Sequence, residues 1–150
     1  MLRLTVETPT GAVTLTETDG AITRAEWGGD FADHSPVLDE AARQLGEYFR
    51  GERTDFDLPL RVDGSEFLRR ICAAIAAIPY GETRTYGELA RELQVPAQAV
   101  GQGCSGNPIP ILIPCHRVLG SSGLGGFTGR GGVETKVWLL RHEGAAGLLI

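Results

Sequence analysis

The chain has 150 residues, of which 42% are apolar and 22% charged, with 21 Gly, 8 Pro and a formal net charge of −5. These values fit a globular protein and exclude a coiled coil, a collagen-like repeat and a disordered chain, and no apolar run approaches the ~20 residues that span a bilayer. The acidic balance argues against a simple nucleic-acid coat, but it is uneven: residues 1–65 hold 6 Arg against 13 Asp and Glu, whereas residues 66–150 hold 7 Arg and 1 Lys against 6 Glu.

The N-terminus, MLRLTVETPTGAVTL, has no apolar core of a signal peptide and begins directly with alternation: Leu2, Leu4 and Val6 against Arg3, Thr5 and Glu7. Thr10-Gly11 turns the chain, Val13 and Leu15 resume the alternation, and Asp19-Gly20 is a hairpin signal leading to a third strand over Ile22 to Trp27. Ser35 then caps a helix with Pro36 in its first turn, and its apolar residues from Val37 to Phe49 recur at intervals of 3 and 4 until Gly51. Thr54 to Leu60 reads as extended, and residues 61–64 as a linker. The division is therefore an α+β unit over residues 1–64 and a mostly helical unit over residues 65–150.

In the second unit Phe67, Leu68, Ile71, Cys72, Ile75 and Ile78 form an apolar helical stripe ended by Pro79-Tyr80-Gly81. Thr85 and Glu88 form a capping box for a short helix through Leu93. Pro96 opens another helix rich in Ala and Gly, and the pair has the spacing of a helix-turn-helix. The small residues equally fit close packing between two helices. Asn107 to Val118, NPIPILIPCHRV, carries three prolines and reads as a stiff, extended rod with Cys115-His116-Arg117 at its end. Residues 120–132, GSSGLGGFTGRGG, are a glycine-rich loop suited to covering a cleft. In the final helix Val137, Trp138 and Leu140 are expected inward, with Leu139 at the margin. Cys72, Trp27 and Trp138 read as core, His34 and His142 as surface or capping residues, and Cys104 carries no assigned chemistry.

A cysteine is a nucleophile as thiolate, which a neighbouring base must favour. His116 is adjacent in sequence, but neighbours on an extended chain point to opposite faces, so a water is expected between them. Glu143 is the candidate to orient the imidazole. A buried structural Cys beside a capped His fits the same residues. Three His and three Cys without CxxC spacing do not suggest a metal site, no phosphate-loop motif implies a nucleotide cofactor, and the odd cysteine count fits a reducing cytoplasm.

NPIPILIPCHRV resembles the active-site signature of the 6-O-alkylguanine-DNA alkyltransferases. The Gln44–Pro59 region, Ile78-Pro79-Tyr80-Gly81-Glu82-Thr83 with Thr85-Tyr86-Gly87-Glu88-Leu89-Ala90, and Lys136 to Gly144 are also similar to that family, so the resemblance covers nearly the whole chain. It implies a monomeric, cofactor-free and metal-free repair protein acting on double-stranded DNA that contains alkylated guanine. The flipped base would give its alkyl group from the 6-oxygen (the 4-oxygen of thymine being a further candidate) to Cys115, once per molecule. It further implies that His116 takes the thiol proton through a water, Glu143 holds His116, Tyr86 donates toward the leaving base, and Asn107 braces the reactive segment. Pro114, Val118, Phe127 and Thr128 would wall the pocket, and Gln98, Ala99, Gly103, Arg84 and Arg117 would meet DNA, with Arg69 and Arg70 as further phosphate contacts. Two departures stand out. Gln98 replaces the arginine that the family usually carries before Ala-Val-Gly, and the loop after Cys115 is slightly shorter than the family's. A damage sensor of the same fold would lack the cysteine. A helix-turn-helix regulator would need basic residues on its recognition helix and a dimerisation segment, neither of which is evident.

Overall fold

The computed structural model describes residues 1–120, 123–124 and 132–145. Strands β1 (Leu2–Thr8), β2 (Gly11–Thr18) and β3 (Ala21–Trp27) form an antiparallel sheet in sequence order. Alternation places Leu4, Val13, Leu15 and Ile22 on the face that is buried. Helix α1 (Pro36–Phe49) starts at Ser35, whose Oγ accepts from the Leu38 amide at 3.1 Å, and packs Leu38, Ala41, Leu45 and Tyr48 toward that face. The stretch from Thr54 to Leu60, read as extended, is no named strand of the sheet. Leu60 bridges to Ile22, with the Ile22 amide donating to the Pro59 carbonyl at 2.8 Å and the Arg61 amide to the Ile22 carbonyl at 3.0 Å.

Helix α2 (Glu66–Ala76) is capped by Ser65 and buries Ile71, Cys72 and Ile75, while Phe67, expected in its apolar stripe, is exposed. The predicted capping box is present: Thr85 Oγ1 accepts from the Glu88 amide and the Glu88 carboxylate accepts from the Thr85 amide. It opens α3 (Tyr86–Leu93), and Gln94, in the left-handed conformation, turns the chain into α4 (Ala97–Ser105). A short parallel pairing joins β4 (Arg84–Thr85) to β5 (Val118–Leu119), tying the start of α3 to the chain just after Cys115. Helix α5 (Val133–His142) faces inward through Thr135, Lys136, Leu139 and Leu140. That corrects the expected face: Leu139 is fully buried, and Val137 and Trp138 are only half-buried, as is Trp27.

The architecture is α+β. One continuous core runs from Leu4 through Ile71 and Val118 to Leu139, and the Ala25 amide of β3 donates to the Pro108 carbonyl at 2.9 Å. Gly103 sits at the α2–α4 contact, where a Cβ would lie 2.5 Å from Ile71 Cδ1. Small residues in α4 therefore serve helix packing at this position. Ile71 is fully enclosed and cannot yield cheaply, so Gly103→Ala should lower unfolding free energy by about 1–3 kcal/mol, measured by urea titration.

Candidate active site

Asn107 organises the segment before Cys115. Its Nδ2 donates to the Ile113 carbonyl at 2.9 Å and its Oδ1 accepts from the Ile109 amide at 3.0 Å, while the Ile113 amide donates to the Ile109 carbonyl at 2.9 Å. The stretch is thus a closed loop and not the straight rod expected from its prolines. Ile111 adopts φ 72°, a conformation that β-branched side chains avoid at a cost of about 1–3 kcal/mol. Burial of Ile109, Ile111, Leu112 and Ile113 and the Asn107 bridge hold it there.

The loop delivers Cys115-His116-Arg117 as one 3-10 turn. Side chains there step by about 120°, so Cys115 and His116 diverge without lying on opposite faces as in an extended strand. All three side chains are buried, His116 completely. Burial pushes the Cys115 thiol up, and the Asn107 side chain and the Lys136 ammonium oppose it. Lys136, itself enclosed, donates from Nζ to the Val118 carbonyl at 2.6 Å. Lys136 also opposes burial at Cys104, but Asn107 acts on Cys115 and on neither of the others, and burial holds Cys72 at about 11 and Cys104 at about 12. Cys104 faces the interior.

Glu143, just past α5, collects the remaining donors. Tyr48 Oη donates to Oε2 at 2.6 Å, His116 Nε2 lies 2.8 Å from Oε2, and Arg117 reaches Oε1 through Nε at 2.8 Å and Oε2 through Nη2 at 3.0 Å. Burial alone would raise the Glu143 pKa, but the hydrogen bonds from His116, Arg117 and Tyr48 outweigh it and bring it to about 2. Tyr48 stays protonated, since burial and the adjacent carboxylate push it far up. Burial pushes His116 below its ordinary value, against the pull of Glu143. A neutral imidazole beside an ionised Glu143 must carry its proton on Nε2, which leaves Nδ1 with a lone pair. Nδ1 is buried and has no hydrogen-bond partner among the described residues.

Several expected site residues fall elsewhere. Arg117 is spent on Glu143 and on the Ile78 carbonyl, at 2.6 Å, so it cannot meet a phosphate. Gly103 is buried against α2 and is no DNA contact. Pro114 lines a different cavity, of about 210 Å³, together with Phe56, Ile78 and Tyr80. Tyr86 shares an open groove with Ala97, Gln98, Gly101, Gln102 and Ser105; Gln98 and Arg84 are exposed, as are Arg69 and Arg70, and Ala99 is half-exposed. Val118 is buried beside the β4–β5 pairing. Phe127 and Thr128 lie outside the described residues. Sequence reasoning missed Tyr48 and Lys136. Both sit at helix positions that read as ordinary: an aromatic on an apolar stripe and a lone lysine.

Two family models match the chain: "6-O-methylguanine DNA methyltransferase, ribonuclease-like domain" over residues 1–62 and "6-O-methylguanine DNA methyltransferase, DNA binding domain" over residues 66–145. A methylated-DNA–protein-cysteine methyltransferase of Mycolicibacterium paratuberculosis is 42% identical across 93% of this chain and 90% of the relative. The constitutive enzyme of that name in Bacillus subtilis is 39% identical across 93% of each. The crystal structure of Mycobacterium tuberculosis OGT in complex with DNA is similar with a TM-score of 0.87 and 38% identity, covering 96% of this chain and 93% of that one.

Glu143→Gln leaves Arg117 buried without its counter-charge and should cost about 3–5 kcal/mol at pH 7. The folded pKa of Glu143 is depressed from 4.5 to about 2, so its stabilisation is complete above pH 4.5 and fades as pH falls toward 2. Chemical denaturation of both proteins across that range should show the gap between them shrinking.

Proposed function

Because this chain belongs to the 6-O-methylguanine DNA methyltransferase family, we propose a division of labour for its side chains in the repair reaction. The protein repairs DNA directly, by moving an alkyl group from the damaged base onto one of its own cysteines. We assign that cysteine as Cys115. Its sulfur attacks the alkyl carbon, the carbon–oxygen bond breaks, and the electron pair leaves on the 6-oxygen of guanine. Tyr86 hydrogen-bonds to the base as that charge develops. A water between the two side chains carries the thiol proton to His116 Nδ1, and Glu143 fixes the tautomer that makes Nδ1 the base.

The observation that carries this reading is the set of groups around the thiol: Asn107 and Lys136 favour its ionisation, and the neighbouring imidazole is locked by Glu143 with one nitrogen unpartnered. Pre-alignment matters because displacement at carbon requires sulfur, carbon and oxygen in line. A thioether has no leaving group that water could displace here, so each molecule reacts once. Val118 belongs to the pocket wall in this assignment. The α4 face bearing Gln98 and Ala99, with Arg84 beside Tyr86, meets the duplex. The protein acts as a monomer in the cytoplasm, a placement that its three unbridged cysteines support. Among the described residues no helix is long and apolar enough to cross a membrane.

Intact mass measured after incubation with a duplex containing 6-O-methylguanine should increase by one methyl group. Cys115→Ser should show no increase; a methylated Cys115→Ser would refute the assignment. Gln98 is exposed on α4 and uncharged, and no Lys or Arg lies between Val95 and Pro114. Gln98→Arg should therefore bind DNA more tightly and steepen the dependence of log affinity on log salt by about 1, read by fluorescence anisotropy.

A further inference from the structure

The outer face of the N-terminal sheet plays no part in the reaction above, yet it carries an unusual row. Arg3 on β1 pairs in register with Thr16 on β2, and Thr16 pairs with Arg24 on β3. Directly opposed residues share a face of the sheet, and strands lie about 4.8 Å apart, so the two arginines flank the threonine hydroxyl from about 10 Å apart. The register slips next to Thr16, leaving Thr23 as the extra residue of β3. Thr23 Oγ1 lies 3.1 Å from Thr18 Oγ1. Arg3, Thr16, Thr18, Thr23 and Arg24 together line a cavity of about 410 Å³.

Two features make this an incomplete polar site. Among the described residues three buried side-chain nitrogen or oxygen atoms have no hydrogen-bond partner. One is His116 Nδ1 in the active site; the other two, Arg3 Nε and Thr16 Oγ1, are both on this row. Thr16 is only 4% exposed, so its hydroxyl has little access to bulk water. An unmade hydrogen bond at a buried polar atom costs about 1–3 kcal/mol.

The second feature is charge. Of the six arginines in residues 1–65, Arg43, Arg50, Arg53 and Arg61 form ion pairs with carboxylates, and among the described residues Arg3 and Arg24 do not. Arg3 instead lies over the Phe31 ring at 5.2 Å, with Nη2 on the Met1 sulfur at 3.3 Å. The one carboxylate lining the cavity, Asp63, is held by Arg61 at 2.8 Å. In a half of the chain that is acidic overall, two guanidiniums outside the ion pairs thus flank unpartnered polar atoms, with the Asp33 carboxylate accepting from the Arg3 backbone amide at 3.0 Å.

We infer that this cavity binds the phosphate group of a phosphate ester, with the Arg3 and Arg24 guanidiniums and the Thr16 hydroxyl as donors. Guanidiniums match phosphate oxygens in geometry as well as charge. The ester could be a backbone phosphodiester of DNA or a free phosphate compound, and the two are separable. The probe is inorganic phosphate, compared with chloride at equal ionic strength, acting on the thermal unfolding midpoint of the full chain. Phosphate should raise the wild-type midpoint by about 2–4 °C beyond chloride. That extra rise should vanish in Arg24→Gln and in Thr16→Val, which replaces the hydroxyl with a methyl group, each compared with its own phosphate-free midpoint. Affinity for an undamaged duplex then identifies the source: about threefold weakening in both variants assigns the site to the DNA backbone, and unchanged affinity assigns it to a free phosphate compound. If phosphate acts like chloride on the wild type, or if Thr16→Val responds to phosphate as the wild type does, the site does not exist.

Discussion

An ionised carboxylate in a protein interior persists only if its surroundings supply enough donors, and Glu143 is in that position. Tyr48, His116 and Arg117 all turn toward it, from the first half of the chain and from the reactive turn. Removing any one of them would leave part of a buried charge unanswered, at a cost beyond that of one ordinary hydrogen bond. The arrangement fixes the tautomer of His116 as a by-product of solving an electrostatic problem. Stability and chemistry are here the same set of contacts.

The second constraint is steric. Asn107 clasps both ends of the Ile109–Ile113 loop, and the apolar residues between them are packed so well that Ile111 tolerates a left-handed backbone. A loop held this way cannot drift, so the thiol at its end keeps one position relative to Lys136 and Asn107. The β4–β5 pairing extends the same fixity to the first residue of α3, Tyr86. The groups assigned to the reaction are thus mounted on short elements, each locked by a neighbour distant in sequence.

Much of the fold was legible in the sequence because local signals carried it. The Ser35, Ser65 and Thr85 caps, the strand alternation and the paired α3 and α4 helices are written within a few residues of where they act. The misreadings have the opposite character. Proline content suggests stiffness but not direction, so the Asn107 clasp that bends the segment back was invisible. Arg117 reads as a DNA contact until Glu143, 26 positions away, is seen to occupy it. Tyr48 reaches Glu143 across 95 positions, which no periodicity reports. Leu140 faces inward as its apolar character suggests, but Lys136 takes an inward place beside it, because it is buried through partners that only the tertiary structure supplies.

The sheet also has two borders to protect. Along β1, residues 31–33 lie alongside, with the Thr5 amide donating to the Phe31 carbonyl at 2.9 Å and the Asp33 amide to Arg3. Along β3, cover comes from Pro59 to Arg61 and from Pro108, which belongs to the other half of the molecule. Uncovered strand borders recruit other strands and promote aggregation. The first half, cut free, would therefore keep one border sheltered and lose part of the shelter on the other, so its solubility depends on a carbonyl that the catalytic half contributes.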